Sequence, residues 1–203
     1  MGRIGIFGGT FNPVHKGHEV TAVNFYDKFE LDRLLIIPAN IPPHKKNDES
    51  VSPRDRFEMC RLCFNKYSDK NIEVSDIEIK KDCVNYSIDT IKTICGNYPS
   101  DTIYFLVGSD MFLYIEKWRD YKELLGMCTF VAAYRDKKST AKLCALRNKL
   151  SGQGYKTELL ENEILQISST ELRKKIQEGG FDLENYLCPE ILNYIKEKKF
   201  YVL

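Results

Sequence analysis

Ile4-Gly-Ile-Phe-Gly-Gly-Thr-Phe-Asn-Pro-Val-His-Lys-Gly-His18 opens the chain with an apolar run that breaks at a pair of glycines. Ile4–Phe7 reads as a short buried strand. The loop that follows, from Gly8 to His18, lacks the Gly-Lys-Ser/Thr of a Walker loop and the G-x-G-x-x-G of a dinucleotide loop. Asn12 is a favourable N-cap and Pro13 a favourable first helical residue, so the sequence predicts a helix starting here. That start puts His15 and His18, three apart, on one face of its first two turns. Gly8 and Gly9 allow backbone amides to approach a ligand, and a helix N-terminus favours an anion. The residues alone leave two readings open: a glycine-rich turn carrying two surface histidines, or a loop whose imidazoles donate to phosphate oxygens. A two-histidine metal site is the weaker alternative, because no third histidine stands nearby and Glu19 points off that face.

On either side of this loop, strand and helix signals alternate along the chain. Apolar, β-favouring runs occur at Ile4–Phe7, Leu34–Pro38, Ile72–Ile79, Thr102–Val107, Cys128–Tyr134 and Glu163–Ile167. Helical patterns fall between them, at about Pro13–Phe29, Pro53–Lys66, Ser87–Tyr98, Tyr121–Met127 and Ser139–Leu150, with two more near the C-terminus. Near-continuous apolar strands alternating with helices predict a parallel sheet covered on both faces. The expected architecture is one α/β domain over residues 1–203, a Rossmann-like doubly wound parallel sheet. In such sheets ligands bind beyond the carboxyl ends of the strands, which directs attention to the loops there.

Two of those loops add to the first. His44, the last of three histidines, lies in Pro38-Ala-Asn-Ile-Pro-Pro-His-Lys-Lys46, so all three fall after the first two strands. Near the other end, Ile167-Ser-Ser-Thr-Glu-Leu-Arg173 combines a capping box, Ser168 with Glu171, with three hydroxyl residues in a row. Arg173 stands one turn below Ser169, and this grouping can surround phosphate oxygens with hydroxyls, amides and a guanidinium.

The composition removes several classes. The 203 residues carry 30 Lys and Arg against 29 Asp and Glu, a net charge of +1, which does not suit binding to a nucleic acid polymer. No apolar run reaches the length of a membrane span and no signal-peptide core opens the chain, so a cytoplasmic protein is expected. The seven cysteines are odd in number and irregularly spaced, as expected of reduced thiols. Cys60 and Cys63 form a C-x-x-C within a helical pattern whose apolar positions include Phe57, Cys60 and Phe64. They read as buried helix thiols rather than a metal or redox pair.

Taken together, the motifs resemble the nucleotidylyltransferase superfamily with its H-x-G-H signature, and within it the bacterial nicotinate-nucleotide adenylyltransferases of NAD synthesis. The matching residues are Phe7-Gly-Gly-Thr-Phe-x-Pro-x-His-x-Gly-His18, Pro38-x-Asn-x-Pro-Pro-His-Lys45, Asn85-Tyr-Ser with Asp89-Thr90, Gly108-x-Asp110, Lys117-Trp118, Ser168-Ser-Thr-x-x-Arg173, and Tyr186-Leu with Pro189 and Tyr194-Ile. The chain departs from the family in having Asn12 where Asp is commoner, Arg119 where an aromatic residue is common, and Asp136-Lys137 after Arg135 in place of Pro-Gly. The resemblance implies adenylyl transfer from ATP to nicotinate mononucleotide, with Mg²⁺ accompanying the triphosphate. It implies ATP contacts from Gly8, Gly9, Thr10, Phe11, His15, His18, Asp110, Ser168, Ser169, Thr170 and Arg173. It implies a mononucleotide site of Asn40, His44, Lys45, Tyr86, Ser87, Trp118 and Arg119, with His15, His18, Lys45 and Arg173 closest to the chemistry. Siblings acting on nicotinamide mononucleotide or phosphopantetheine, and a non-catalytic nucleotide sensor, are the rival readings. Assembly into a homo-oligomer is left open.

Overall fold

Five of the six apolar runs form strands, and their alternating residues define two opposite faces of one sheet. The computed structural model describes residues 1–41, 51–81, 84–134, 137–162 and 167–201. Its strands are β1 (Arg3–Gly9), β2 (Arg33–Pro38), β3 (Ile72–Val74), β4 (Thr102–Gly108), β5 (Thr129–Tyr134) and β6 (Thr157–Glu161). They pair in parallel in the order β3-β2-β1-β4-β5-β6. This is the doubly wound arrangement in which the strand order reverses beside β1.

Helices cover both faces. Phe7, Leu34, Ile36, Leu106, Val131 and Leu160 pack with α1 (Lys16–Lys28), α2 (Pro53–Phe64), α7 (Ser169–Gln177) and α8 (Pro189–Lys198). Ile6, Leu35, Ile37, Phe105, Val107 and Phe130 pack with α3 (Ser87–Asn97), α4 (Ser109–Leu113), α5 (Tyr121–Met127) and α6 (Lys137–Gly152). Phe25, Phe64, Phe112 and Phe130 are fully buried, each contributing about 1.5–3 kcal/mol through loss of apolar surface from water. Gly5 lets α1 lie close to the sheet: a Cβ there would stand 2.4 Å from Leu31 and 2.9 Å from Phe25. No helix among the described residues is long and apolar enough to cross a membrane.

Three expectations shift. The sixth strand of the sheet is Thr157–Glu161, a stretch in which the sequence placed no strand. Residues 163–166 lie outside the described residues, and Ile167 is a buried residue preceding α7. The third strand stops at Val74, because the chain turns at Asp76, where the Lys80 N–H reaches its carbonyl. The first helix starts three residues later than expected. Its N-cap is His15, in extended conformation, and the Asn12–Pro13 peptide is cis. Asn12 does not cap because its side chain is engaged elsewhere: Oδ1 accepts the Tyr201 hydroxyl at 2.5 Å.

The sequence also places the α2 stripe slightly off. The buried face runs through Arg56, Met59, Cys60, Cys63 and Phe64, with Phe57 only partly covered. Cys60 and Cys63 are both buried there; burial pushes the Cys60 thiol up, and contact with Cys188, with burial, does the same for Cys63.

Candidate active site

The crevice beside the strand-order reversal is where the sequence motifs converge. Gly8 and Gly9 end β1, Gly108 ends β4, and Pro38 ends β2, so three motif-bearing loops leave the same end of adjacent strands. The α7 segment joins them from the far end of the chain. Arg173 Nη1 donates to the Asn12 carbonyl at 2.8 Å, and the Ser169 hydroxyl donates to the Pro13 carbonyl at 2.9 Å. The Lys16 N–H bonds the Tyr186 carbonyl at 2.8 Å, closing the same contact. Two motifs more than 150 residues apart thus form one surface.

His15 and His18 lie together as expected, with ring centroids 3.8 Å apart. His18 also touches the rings of Phe11, at 5.0 Å, and Phe7, at 6.1 Å. Its Nδ1 accepts the His15 backbone N–H at 3.3 Å. That bond assigns the neutral ring's proton to Nε2, making the outer nitrogen a donor. Ser168 caps α7 in full: its hydroxyl accepts from the Glu171 N–H at 3.2 Å, and Glu171 accepts the Ser168 N–H at 2.7 Å. Asp110 is exposed in the first turn of α4, just past β4.

Tyr86 and Trp118 pack on the sheet face opposite Phe11 and Val14; the Arg119 guanidinium lies over the Tyr86 ring at 4.7 Å, with Nε 3.5 Å from Asp120. Trp118 packs edge-on to Phe105 and Phe130, at 6.3 and 6.4 Å. Its buried indole Nε1 has no hydrogen-bond partner among the described residues, an arrangement that costs about 1–3 kcal/mol. Ser87 begins α3, one residue after Tyr86. Asn40 sits at the end of β2, but its side chain donates to the Lys81 carbonyl at 2.5 Å. His44, Lys45 and Arg135 lie outside the described residues. Among the described residues, no group of three His, Cys, Asp or Glu side chains is placed to hold a metal ion.

Residues 6–175 match the cytidylyltransferase-like family model. A protein of Lactococcus lactis subsp. lactis described as a probable nicotinate-nucleotide adenylyltransferase is 33% identical over 98% of this chain and 95% of its own. One of the same description from Fusobacterium nucleatum is 37% identical over 86% of this chain and 88% of its own. This chain belongs to the nicotinate-nucleotide adenylyltransferase family. The fold agrees with that of the Plasmodium falciparum nicotinic acid mononucleotide adenylyltransferase solved with NaAD, at a TM-score of 0.79 and 22% identity, covering 99% of this chain and 98% of that one.

In this member of the family, three residues to which the motifs assigned no role shape the site, and two of them, Tyr201 and Arg56, lie outside the motifs altogether. Tyr201 holds Asn12, as described above. Asn85, buried at the start of the α3 segment, accepts the N–H groups of Asn40 and Ile41 through Oδ1, at 3.1 and 3.2 Å. Arg56 is only 4% exposed; its Nη1 donates to the carbonyls of Thr10 and Ala39, each at 2.7 Å, and Nη2 to that of Asn40 at 3.0 Å. Burial pulls its pKa below the ordinary guanidinium value, yet Arg stays charged in proteins. Its spacing of three, four and seven residues from Met59, Cys60 and Cys63 on the buried stripe of α2 is the sequence signal that could have exposed it.

Gly9 is a sensitive point of the same loop. A Cβ there would stand 2.9–3.1 Å from three atoms of the Phe11 ring, which is itself pressed against His18. Phe11 is held at φ 49°, so it cannot retreat along an easy backbone path. Gly9→Ala is expected to lower stability by about 1–3 kcal/mol, the scale of overpacking, and to reduce activity by displacing His18. Denaturant unfolding together with turnover checks it; wild-type values for both would show that Phe11 moves freely.

Proposed function

We infer that this chain transfers the adenylyl group of ATP to nicotinate mononucleotide, giving nicotinate adenine dinucleotide and pyrophosphate. The observation that carries the reading is the union of the H-x-G-H loop with the Ser168–Arg173 segment at the strand-order reversal, through Arg173 to Asn12 and Ser169 to Pro13. An oxygen of the mononucleotide phosphate attacks the α-phosphorus, the α–β bridging bond breaks, and pyrophosphate departs with the electron pair. The attacking monoester has its second pKa near ~6 and is largely ionised at neutral pH, so no general base is needed. Alignment of two polyanions and neutralisation of charge carry the reaction.

In this reading the Gly8–Phe11 amides, His15 and His18 receive the phosphates, with His18 nearest the transferred group. Ser168, Ser169, Thr170 and Arg173 hold the triphosphate tail, and Asp110 accepts from ribose hydroxyls. Mg²⁺ bound by the phosphates and water would offset charge on the leaving pyrophosphate. Asn40, His44 and Lys45 meet the mononucleotide phosphate in this reading; of these, Asn40 is also bonded through its side chain to the Lys81 carbonyl. Tyr86, Ser87, Trp118 and Arg119 surround the pyridine ring. The stacking of Arg119 on Tyr86 supports that grouping, and a guanidinium there favours a carboxylate over a neutral amide.

Pyrophosphate release with ATP and, in turn, nicotinate mononucleotide, nicotinamide mononucleotide and phosphopantetheine tests the reading. Preference for the first supports it; preference for either other acceptor, or no turnover with any, overturns it. Trp118 is the only tryptophan, so its emission reports one place, and saturating nicotinate mononucleotide is expected to perturb it. Arg119→Tyr is expected to lower the acid-over-amide ratio in kcat/KM by about tenfold, the scale of one hydrogen bond to a charged group. An unchanged ratio would leave backbone amides as the readers of the carboxylate.

A further inference from the structure

Arg56 buries a full charge, and every acceptor it finds among the described residues is a backbone carbonyl. Removing a guanidinium from water is costly, and an apolar residue on this inward stripe of α2 would avoid that cost. What the charge gains is the geometry of two loops. β1 and β2 run side by side to the pair Gly9 and Pro38, and one further ladder bond joins the Ala39 N–H to the Gly9 carbonyl at 2.9 Å. Past that bond, among the described residues, Arg56 links the two segments, through Thr10 on one side and Ala39 and Asn40 on the other.

The peptide unit is planar and trans except before proline, so its C=O and N–H point in opposite directions. Drawing the Thr10 carbonyl to Arg56 therefore turns the Phe11 N–H away from α2. In the neighbouring loop the same rule is seen with both ends occupied. The carbonyls of Ala39 and Asn40 go to Arg56, and the N–H groups of the same peptide units, those of Asn40 and Ile41, go to Asn85 Oδ1. We propose that Arg56 is a positioning residue for both substrate segments, holding the Thr10–Phe11 peptide with its N–H directed to the triphosphate and locking residues 39–41, where the mononucleotide segment leaves β2, in register with it. The substrate names rest on the function proposed above; the coupling of the loops rests on the contacts alone.

The test uses Arg56→Met, which keeps bulk and removes charge, and Arg56→Lys, which keeps charge but loses the fork. Hydrogen exchange followed by mass spectrometry on the full chain without substrates is the first measurement. Segments 8–15 and 38–41 are expected to exchange about tenfold faster or more in Arg56→Met, the scale of one lost hydrogen bond to a charged group, with β4 and β5 unchanged. Steady-state kinetics are the second. KM for ATP and KM for nicotinate mononucleotide are expected to rise together, by about tenfold in Arg56→Met and by less in Arg56→Lys. A folded variant with a lower Tm but with exchange and both KM values within about twofold of wild type would reduce Arg56 to a structural residue. A rise in only one KM would also overturn the coupling. Should Arg56→Met not fold, Arg56→Lys carries the same comparison. Should the wild-type chain release no pyrophosphate with these substrates, the proposed function fails and the exchange measurement still decides the coupling.

Discussion

Replacing His18 with alanine is expected to leave the protein folded and to lower kcat by roughly 10²–10³, the effect of removing one preorganised donor from a transition state. The bond from the His15 N–H to Nδ1 fixes the ring and leaves Nε2 as the protonated nitrogen. As the α-phosphorus passes through its five-coordinate arrangement, charge grows on the non-bridging oxygens, and a donor at that place gains strength. The alanine variant also loses ring contacts with Phe11 and His15 and part of the cap of α1. That loss is expected to cost about 1 kcal/mol, small enough to keep the fold. Pyrophosphate release with a parallel thermal melt separates the two effects. A folded variant with wild-type kcat would remove His18 from the chemistry.

Arg173→Ala is expected to raise KM for ATP by about tenfold or more, in line with a lost contact between guanidinium and phosphate. It should also lower stability, because Nη1 anchors the Asn12 carbonyl at 2.8 Å; a hydrogen bond from a charged donor contributes about 1.5–3 kcal/mol. Melts with and without Mg-ATP distinguish an anchor from a ligand. At ATP near 100 times Kd the nucleotide stabilises the native state by about 2.7 kcal/mol, and a tenfold weaker site by only about 1.4 kcal/mol. A variant that melts lower but gains the full wild-type increment from nucleotide would make Arg173 an anchor only.

The fold was largely written in local pattern. Buried parallel strands show as apolar runs, so β1, β2, β4 and β5 were legible within a residue or two. β6 was not, because an edge strand needs less apolar content, and Thr157-Glu-Leu-Leu-Glu161 is weaker in that respect than the run that follows it. The start of α1 was misplaced because Asn12 and Pro13 satisfy every local rule for a helix start. A contact from Tyr201 overrides those rules. The site shows the same division. Its glycines, histidines and hydroxyl residues form short motifs that can be read in order. Arg56 acts only through backbone carbonyls of other segments, and its neighbours in sequence, Arg54 and Asp55, make it look like one more charge on a solvated helix face. The partly covered Phe57 next to it drew the apolar stripe one position away from the truth.

The hold of the chain's far end on the β1 loop sets when the site can exist during synthesis. Asn12 is bonded by Arg173 and Tyr201, 161 and 189 residues downstream, and Pro13 by Ser169, 156 residues downstream. At 5–20 residues per second, a ribosome needs about 10–40 s to travel from Asn12 to Tyr201. Through that interval β1 can pair with β2 and begin the sheet, while the loop after it has none of these three partners. A nascent chain can therefore pair β1 with β2 before it has the partners that hold the nucleotide loop. Ligand binding is the last property to arrive, and it closes contacts of high sequence separation that are intrinsically slow to form.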